Sequence, residues 1–360
     1  MPHPTSRTMI TTRSSRRRLL ALGGAAALGV LLTACGGTNG GTSGAGTSAS
    51  ASSSASAEGG GSWSFTDDRK ETVTAAATPS RVVAFTGTAA ALADFGLDQK
   101  IVGVFGETKK ADGTAEPQAG DLDVNKVTIL GNVWGEFNIE KYAALRPELL
   151  VTHMYDPGAL WYVPDESKDK ILKLAPTVAV NVARVPITEP IKRYAELAAS
   201  LGADLDAPKV TEAKARFDAA AEKLRKAVAA NPGIKVMAAS GSPDLLYASN
   251  PEVAADLKYF AELGVDFVKP DKLDDGGYFE SLSWENADKY HADLILLDAR
   301  GTALQPDALA AKPAWAELPA VKANQITPWD SVPRFSYAGF APQLENLATA
   351  IQNAKKADGS

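Results

Sequence analysis

Aromatic rings and guanidinium groups occupy the positions at which this 360-residue chain could do chemistry. His153, Tyr155, Trp161 and Tyr162 follow the apolar run Leu149-Leu150-Val151, and Trp134 precedes Glu140. Arg184 follows Thr177-Val178-Ala179-Val180. In the second half Arg300 follows Leu294 to Leu297, Tyr278 precedes Glu285, and Trp329 and Arg334 follow Ile326. Loops after the carboxyl ends of parallel strands are where α/β folds hold ligands. Trp and Tyr faces can cover an organic backbone while arginine meets negatively charged oxygens, as in a bulky semi-polar chelate. Covalent and metal chemistry lack their parts. The chain has no G-x-S-x-G elbow, no H-E-x-x-H and no Walker A loop. Three scattered histidines make no metal site, and the stretch Asp271, Asp274, Asp275 fails calcium-loop spacing and reads as a solvated loop.

These groups are positioned by an alternation of strand and helix signals, the pattern of parallel α/β folds. Arg81 to Phe85, Ile101 to Val104, Leu149 to Val151 and Thr177 to Val180 read as strands, with helices at 89–96 and 139–145. The order returns at Lys235 to Ala239, Val265 to Val268, Leu294 to Leu297 and Gln325 to Thr327, with helices at 251–263 and 285–290. Glu140 lies ten residues before Leu150 and Glu285 ten before Ile295, and "EKYAALRPELLV" aligns with "ENADKYHADLIL" without a gap. Between the halves Val210, Phe217, Ala221, Leu224 and Val228 recur at helical spacing. Asp206 is a candidate cap, Pro208 suits the first turn, and Asn231-Pro232-Gly233 ends the run. A helix of this length spans roughly 36 Å, enough to carry the chain from one lobe to another. The expected fold is two α/β lobes, each a parallel sheet flanked by helices, joined by one long helix.

Charge is unevenly spread. The total of −6 argues against a nucleic-acid partner. Arg7, Arg13, Arg16, Arg17 and Arg18 all lie in residues 1–35, which hold no acid, so the remainder is more acidic still. The apolar run Leu19 to Ala34 is shorter than the roughly 20 residues of a membrane span and describes an export signal. The lone cysteine, Cys35, excludes an internal disulfide and falls at the end of that run. Leu32-Thr33-Ala34-Cys35 resembles the lipobox of bacterial lipoproteins, which implies lipidation of Cys35. Ser15-Arg16-Arg17-Arg18-Leu19-Leu20 resembles, more weakly, a twin-arginine motif. From Gly36 to Ser62 the Gly/Ser/Ala/Thr composition offers nothing to bury and reads as a flexible tether of about 25–30 Å reach. The expected organisation is a signal at 1–34 and the lipidated cysteine and tether at 35–62. A lobe at 63–205, the connecting helix at 206–231 and a second lobe at 232–360 follow.

Lipobox, tether, paired lobes and long connecting helix together resemble the helical-backbone class of bacterial substrate-binding lipoproteins. The likeness is carried by "PSRVVAFTGTAAALADFGLDQKIVGV", "FNIEKYAALRPELLVTH", "LAPTVAV", "YFESLSWENADKYHADLILL" and "ITPW". That family serves ABC importers for ferric siderophores, haem and cobalamin. The resemblance implies no enzymatic activity, a ligand in the cleft between lobes, and a glutamate on each lobe presented to permease arginines. The matching positions are Glu140 in "FNIE" and Glu285 in "LSWE". Two carboxylates on opposite lobes also make a two-point electrostatic dock on physical grounds alone. Either one, taken singly, is a glutamate favoured at a helix N-terminus. The expected cargo is an Fe(III)-siderophore complex, hydroxamate over catecholate because the cleft offers few arginines, with haem or cobalamin the alternatives. No resident cofactor or metal is expected. The protein is expected to be a monomer, lipid-anchored at the extracytoplasmic face of the membrane. The competing classes are an extracytoplasmic hydrolase and a structural envelope protein.

Overall fold

The computed structural model describes residues 61–357, so the signal, Cys35 and most of the tether lie outside the described residues. A short antiparallel hairpin opens the fold, β1 (Trp63–Thr66) against β2 (Thr72–Ala75). Its turn is tied by Asp67, whose carboxylate accepts the Arg69 amide at 2.9 Å and pairs with the Arg69 guanidinium at 2.7 Å.

The first lobe is built on β3 (Val82–Phe85), β4 (Ile101–Phe105), β5 (Thr128–Ile129), β6 (Leu149–Met154) and β7 (Thr177–Asn181). Their order is β5-β4-β3-β6-β7, and every pairing is parallel. β3 and β6 are buried at every position. Continuous apolar runs are what a strand covered on both faces requires.

The second lobe holds β8 (Lys235–Gly241), β9 (Leu245–Ser249), β10 (Asp266–Phe267), β11 (Phe279–Ser283), β12 (Leu294–Asp298) and β13 (Ile326–Trp329). β10 and β12 pair with β8 in parallel, and β13 pairs with β12 in parallel, as expected. The same sheet is extended by an antiparallel pair, β9 on β8 and β11 on β9, which the sequence reading did not foresee. The acidic loop before β11 is exposed at Asp271 and Asp275, as a solvated loop is, and is also tied down by hydrogen bonds. Asp274 Oδ1 accepts the amides of Tyr278 and Phe279 at 2.6 and 3.2 Å, and Asp271 pairs with Lys289. The internal repeat is visible in register: Leu150 pairs with Val83 of β3, and Ile295 with Met237 of β8.

The connecting helix runs from Pro208 to Ala230 and buries Val210, Phe217, Ala220, Ala221, Leu224 and Ala227. Asp206 does not cap it; the Asp206 amide instead donates to Asp204, and Pro208 occupies the first turn. The C-terminal helix Tyr337–Asn353 lies along it, clamped by a bidentate Arg216–Glu345 pair at 2.7–2.8 Å and by Phe217–Phe340 ring contact. One apolar cluster runs from β3 and β6 through Phe217 and Leu224 to β8 and Phe340, so both lobes share a core.

The helix is not the sole crossing. Ala183 and Ala254 form an antiparallel bridge, and the amides of Arg184 and Ile187 donate to Val253 and Ala255 at 2.8 and 2.9 Å. A third crossing joins Arg334 and Ser336 to Asp94, in the last turn of helix Thr86–Asp94.

One buried acid makes a pH prediction. Asp256 is 2% exposed and accepts the Trp329 indole N–H at 2.6 Å. Burial pushes its carboxyl up to about 6 despite that bond. A folded-state pKa above the unfolded one means the folded protein binds the extra proton. Its contribution is therefore present below the unfolded value of 3.8 and is lost as pH rises through about 6. Asp256→Asn keeps an acceptor for Trp329 and removes the titration. It is expected to flatten the stability–pH curve between those values, by up to about 3 kcal/mol. Urea unfolding at several pH values checks this, and an unchanged slope would refute it.

Candidate functional site

The carboxyl ends of β3, β4, β6 and β7 face those of β8, β12 and β13 across a cleft, and most sequence-selected residues gather there. On the first lobe they form an aromatic wall. Trp134, half exposed, meets Trp161 and Tyr162 edge-on, each with centroids 5.0 Å apart. Trp161 in turn meets Tyr155 at 4.6 Å, and Tyr162 packs on Phe85 at 5.3 Å. Behind them His153, 1% exposed, lies among Phe85, Tyr155, Trp161 and Phe335 at 4.9–6.1 Å. Burial drives its imidazole down to about 3, so it is neutral at pH 7 and serves packing. Burial likewise holds the Tyr155 and Tyr162 hydroxyls protonated.

Backbone conformation shapes this wall. Tyr162 and Arg184 adopt left-handed φ of 61° and 65°, which is uncommon outside glycine and recurs at ligand sites. Gly106, with φ of 91°, follows β4. A Cβ there would lie 2.4 Å from the Phe85 ring, so glycine lets that ring rest on the backbone.

Four groups around the cleft carry buried polar atoms with no hydrogen-bond partner among the described residues. They are both ring nitrogens of His153, the Tyr155 hydroxyl, the Trp161 indole nitrogen and Gln118 Oε1. Native proteins leave few such atoms, and their gathering beside the cleft calls for bonding that the described residues do not supply, by water or by another molecule.

The arginines differ in what they touch. Arg184 bonds the Tyr155 carbonyl at 2.8 Å and the Asp156 carboxylate at 3.1 Å in its own lobe. It also reaches the Gly276 carbonyl at 2.9 Å and the Tyr278 hydroxyl at 3.3 Å, while that hydroxyl donates to the Tyr155 carbonyl at 2.8 Å. Arg184 and Tyr278 thus form a clasp between lobes at one end of the cleft. Arg334 is largely buried, pairs with Asp94 at 3.1 Å and lies against Gly120, where a Cβ would stand 2.0 Å from its guanidinium. Trp329, 5% exposed, is a core residue whose indole N–H is given to Asp256. Arg300 alone lines the pocket at the cleft floor. It pairs there with the fully buried Asp298 at 2.6 Å.

That pocket, small and of about 20 Å³, is bounded by Glu107, Glu116, Pro117 and Gln118 from the first lobe and Ala299, Arg300, Asp330 and Val332 from the second. Glu107, Glu116, Asp298, Asp330 and Gln118 were not singled out in the sequence. The available signal was position: Glu107 follows β4, Asp298 ends β12 and Asp330 follows β13, the same loop ends that supplied the aromatics.

Glu140 and Glu285 are both exposed and lie away from the pocket. Each is the second residue after a capping position, Asn138 and Ser283, and each precedes the strand next to its lobe's first strand. No cluster of three or more metal-ligating side chains occurs among the described residues, and no helix among them is long and apolar enough to cross a membrane.

Residues 82–333 match the family model described as periplasmic binding protein. No curated protein matches the chain. Among solved structures, DesE, a ferric-siderophore receptor protein from Streptomyces coelicolor, is 53% identical. It covers 82% of this chain and 99% of its own, with a TM-score of 0.79. The petrobactin-binding protein YclQ from Bacillus subtilis shares the fold at 17% identity, 81% and 99% coverage and a TM-score of 0.61. PiuA, an iron-uptake ABC transporter substrate-binding protein from Streptococcus pneumoniae, does so at 20% identity, 81% and 97% coverage and 0.56. These relatives are solute binders rather than enzymes. With a matching model over most of its length and a relative identical at more than half of the aligned positions, this chain belongs to the periplasmic binding protein family.

Proposed function

We propose that this protein captures a ferric siderophore between its lobes, outside the cytoplasm, and delivers it to the permease of an ABC importer. The cluster of unpartnered buried polar atoms beside the Trp134–Trp161–Tyr162 wall is the observation that carries the reading. Identity to a protein described as a ferric-siderophore receptor supports it. Charge favours hydroxamate ligands. Three hydroxamates balance Fe(III), whereas three catecholates leave a trianion. The pocket floor presents Glu107, Glu116 and Asp330 against Arg300 alone, itself paired with Asp298. A trianion would meet repulsion there.

Titration with ferric hydroxamates is expected to quench tryptophan fluorescence saturably at sub-micromolar to micromolar concentrations, because Trp134 and Trp161 border the cleft. Silence toward all ferric hydroxamates, with tight binding of a ferric catecholate, haem or cobalamin, would overturn the assignment.

Anchoring through a lipid on Cys35 is part of the same proposal, with Glu140 and Glu285 as the permease contacts. Cys35→Ala is expected to move the protein from the membrane fraction to the soluble extracytoplasmic fraction. Retention of that variant on membranes would count against lipidation.

A further inference from the structure

The pocket floor is rich in hydrogen-bond acceptors and poor in donors. Glu107, Glu116 and Asp330 line it, and none of the three forms a salt bridge among the described residues. Gln118, 5% exposed, gives its Nε2 to the Glu107 carbonyl at 2.5 Å, which leaves Oε1 as a buried acceptor without a donor. The guanidinium of Arg300 gives Nε and Nη2 to Asp298, which leaves Nη1 as the one guanidinium nitrogen not bonded to it. Burial and then the neighbouring Glu107 raise Glu116 against the pull of Lys110, and burial, with Asp256 and Asp298 nearby, pushes Asp330 up to about 7 against the pull of Arg334.

A buried acceptor and three carboxylates without a salt bridge, set on both walls, favour a compact group with several N–H donors and a positive charge. A primary ammonium has three such donors. We propose that this pocket receives an ammonium group borne by the ligand, so that the protein selects ferric chelates with a cationic side arm. The inference rests on the siderophore reading above and narrows its ligand class. Pro117, Gln118 and Ala299 leave the pocket narrow, with room for a single small group such as an ammonium, so the bulk of the chelate would lie outside it.

The test compares two probes that share one iron-binding core. Ferric desferrioxamine B ends in a primary ammonium; its N-acetylated form ends in a neutral amide. Fluorescence titration of the wild-type protein is expected to show the ammonium form binding about tenfold or more tighter, a margin that shrinks as salt is added. In Glu107→Gln/Asp330→Asn the ratio of the two dissociation constants is expected to approach one. Equal affinity of both probes for the wild-type protein would overturn the ammonium pocket and leave the siderophore reading standing. A ratio that persists in the double variant would likewise overturn it. Binding of neither probe would overturn this inference, and the siderophore reading would then be decided by the wider titration above.

Discussion

Asp298→Ala is expected to destabilise the protein by about 3–5 kcal/mol, the usual cost of stripping one partner from a buried ion pair. Asp298 is fully buried at the end of β12. Its carboxylate accepts from Arg300 Nε and Nη2, from Ser240 Oγ at 2.9 Å and from Ser331 Oγ at 3.0 Å. Ser240 belongs to β8 and Ser331 follows β13, so one side chain ties the carboxyl ends of three neighbouring strands. Burial alone would raise its pKa; the Arg300 hydrogen bonds and charge outweigh burial, Ser240 adds to them, and the net shift is downward. A depressed folded-state pKa gives stability that is present above the unfolded value of 3.8 and lost as pH falls through the folded one. The gap between wild type and Asp298→Ala should therefore be widest near neutrality and narrow in acid. Asp298→Asn, which keeps acceptor capacity but not charge, should fall between them. Denaturant unfolding at pH 7 and below pH 4 measures the series, and a constant gap across pH would contradict the ion-pair account.

Charge reversal at both Glu140 and Glu285 is expected to abolish ligand uptake by cells while leaving ligand affinity in solution nearly intact. Both carboxylates are exposed and neither lines the pocket. A lysine after each cap faces an unfavourable helix end, worth about 0.3–1 kcal/mol per site, too little to unfold the protein. Opposite charges at a docking rim act mainly on encounter and orientation, and like charges there cost several-fold more than their mere loss. Each single reversal should thus reduce uptake partially, and the pair should remove it. Transport of a labelled ferric chelate, paired with fluorescence titration of the purified variant, checks both halves. Affinity falling in step with uptake would place these residues in the ligand site instead.

The parallel strands were legible in the sequence because a strand covered on both faces is an unbroken apolar run, as in Val82 to Phe85 and Leu294 to Leu297. β9 and β11 escaped because they alternate. Leu246 and Ala248 are buried between half-exposed neighbours, and Leu282 lies between exposed Ser281 and half-exposed Ser283, so neither segment reads as a run. The connecting helix was legible from its stripe, but its cap was not. Asp206 has the right chemistry and is drawn instead into the turn at Asp204. At the site, aromatics clustered within residues 153–162 announce themselves, whereas the acidic floor is assembled from residues as distant as Glu107 and Asp330. Nothing local distinguishes those carboxylates from surface ones; only the facing of two sheets does.

The bridge between Ala183 and Ala254 has a bearing on transport. Together with the connecting helix, the Arg334–Asp94 pair and the Arg184–Tyr278 clasp, it ties the lobes at four places, so the separation of Glu140 from Glu285 is expected to change little when the cleft is filled. Under the proposed docking through Glu140 and Glu285, empty and loaded molecules would present the same pair of charges and compete for one permease. Flux should saturate with the loaded fraction of the binding protein rather than with its total, and excess empty protein should act as an inhibitor of import.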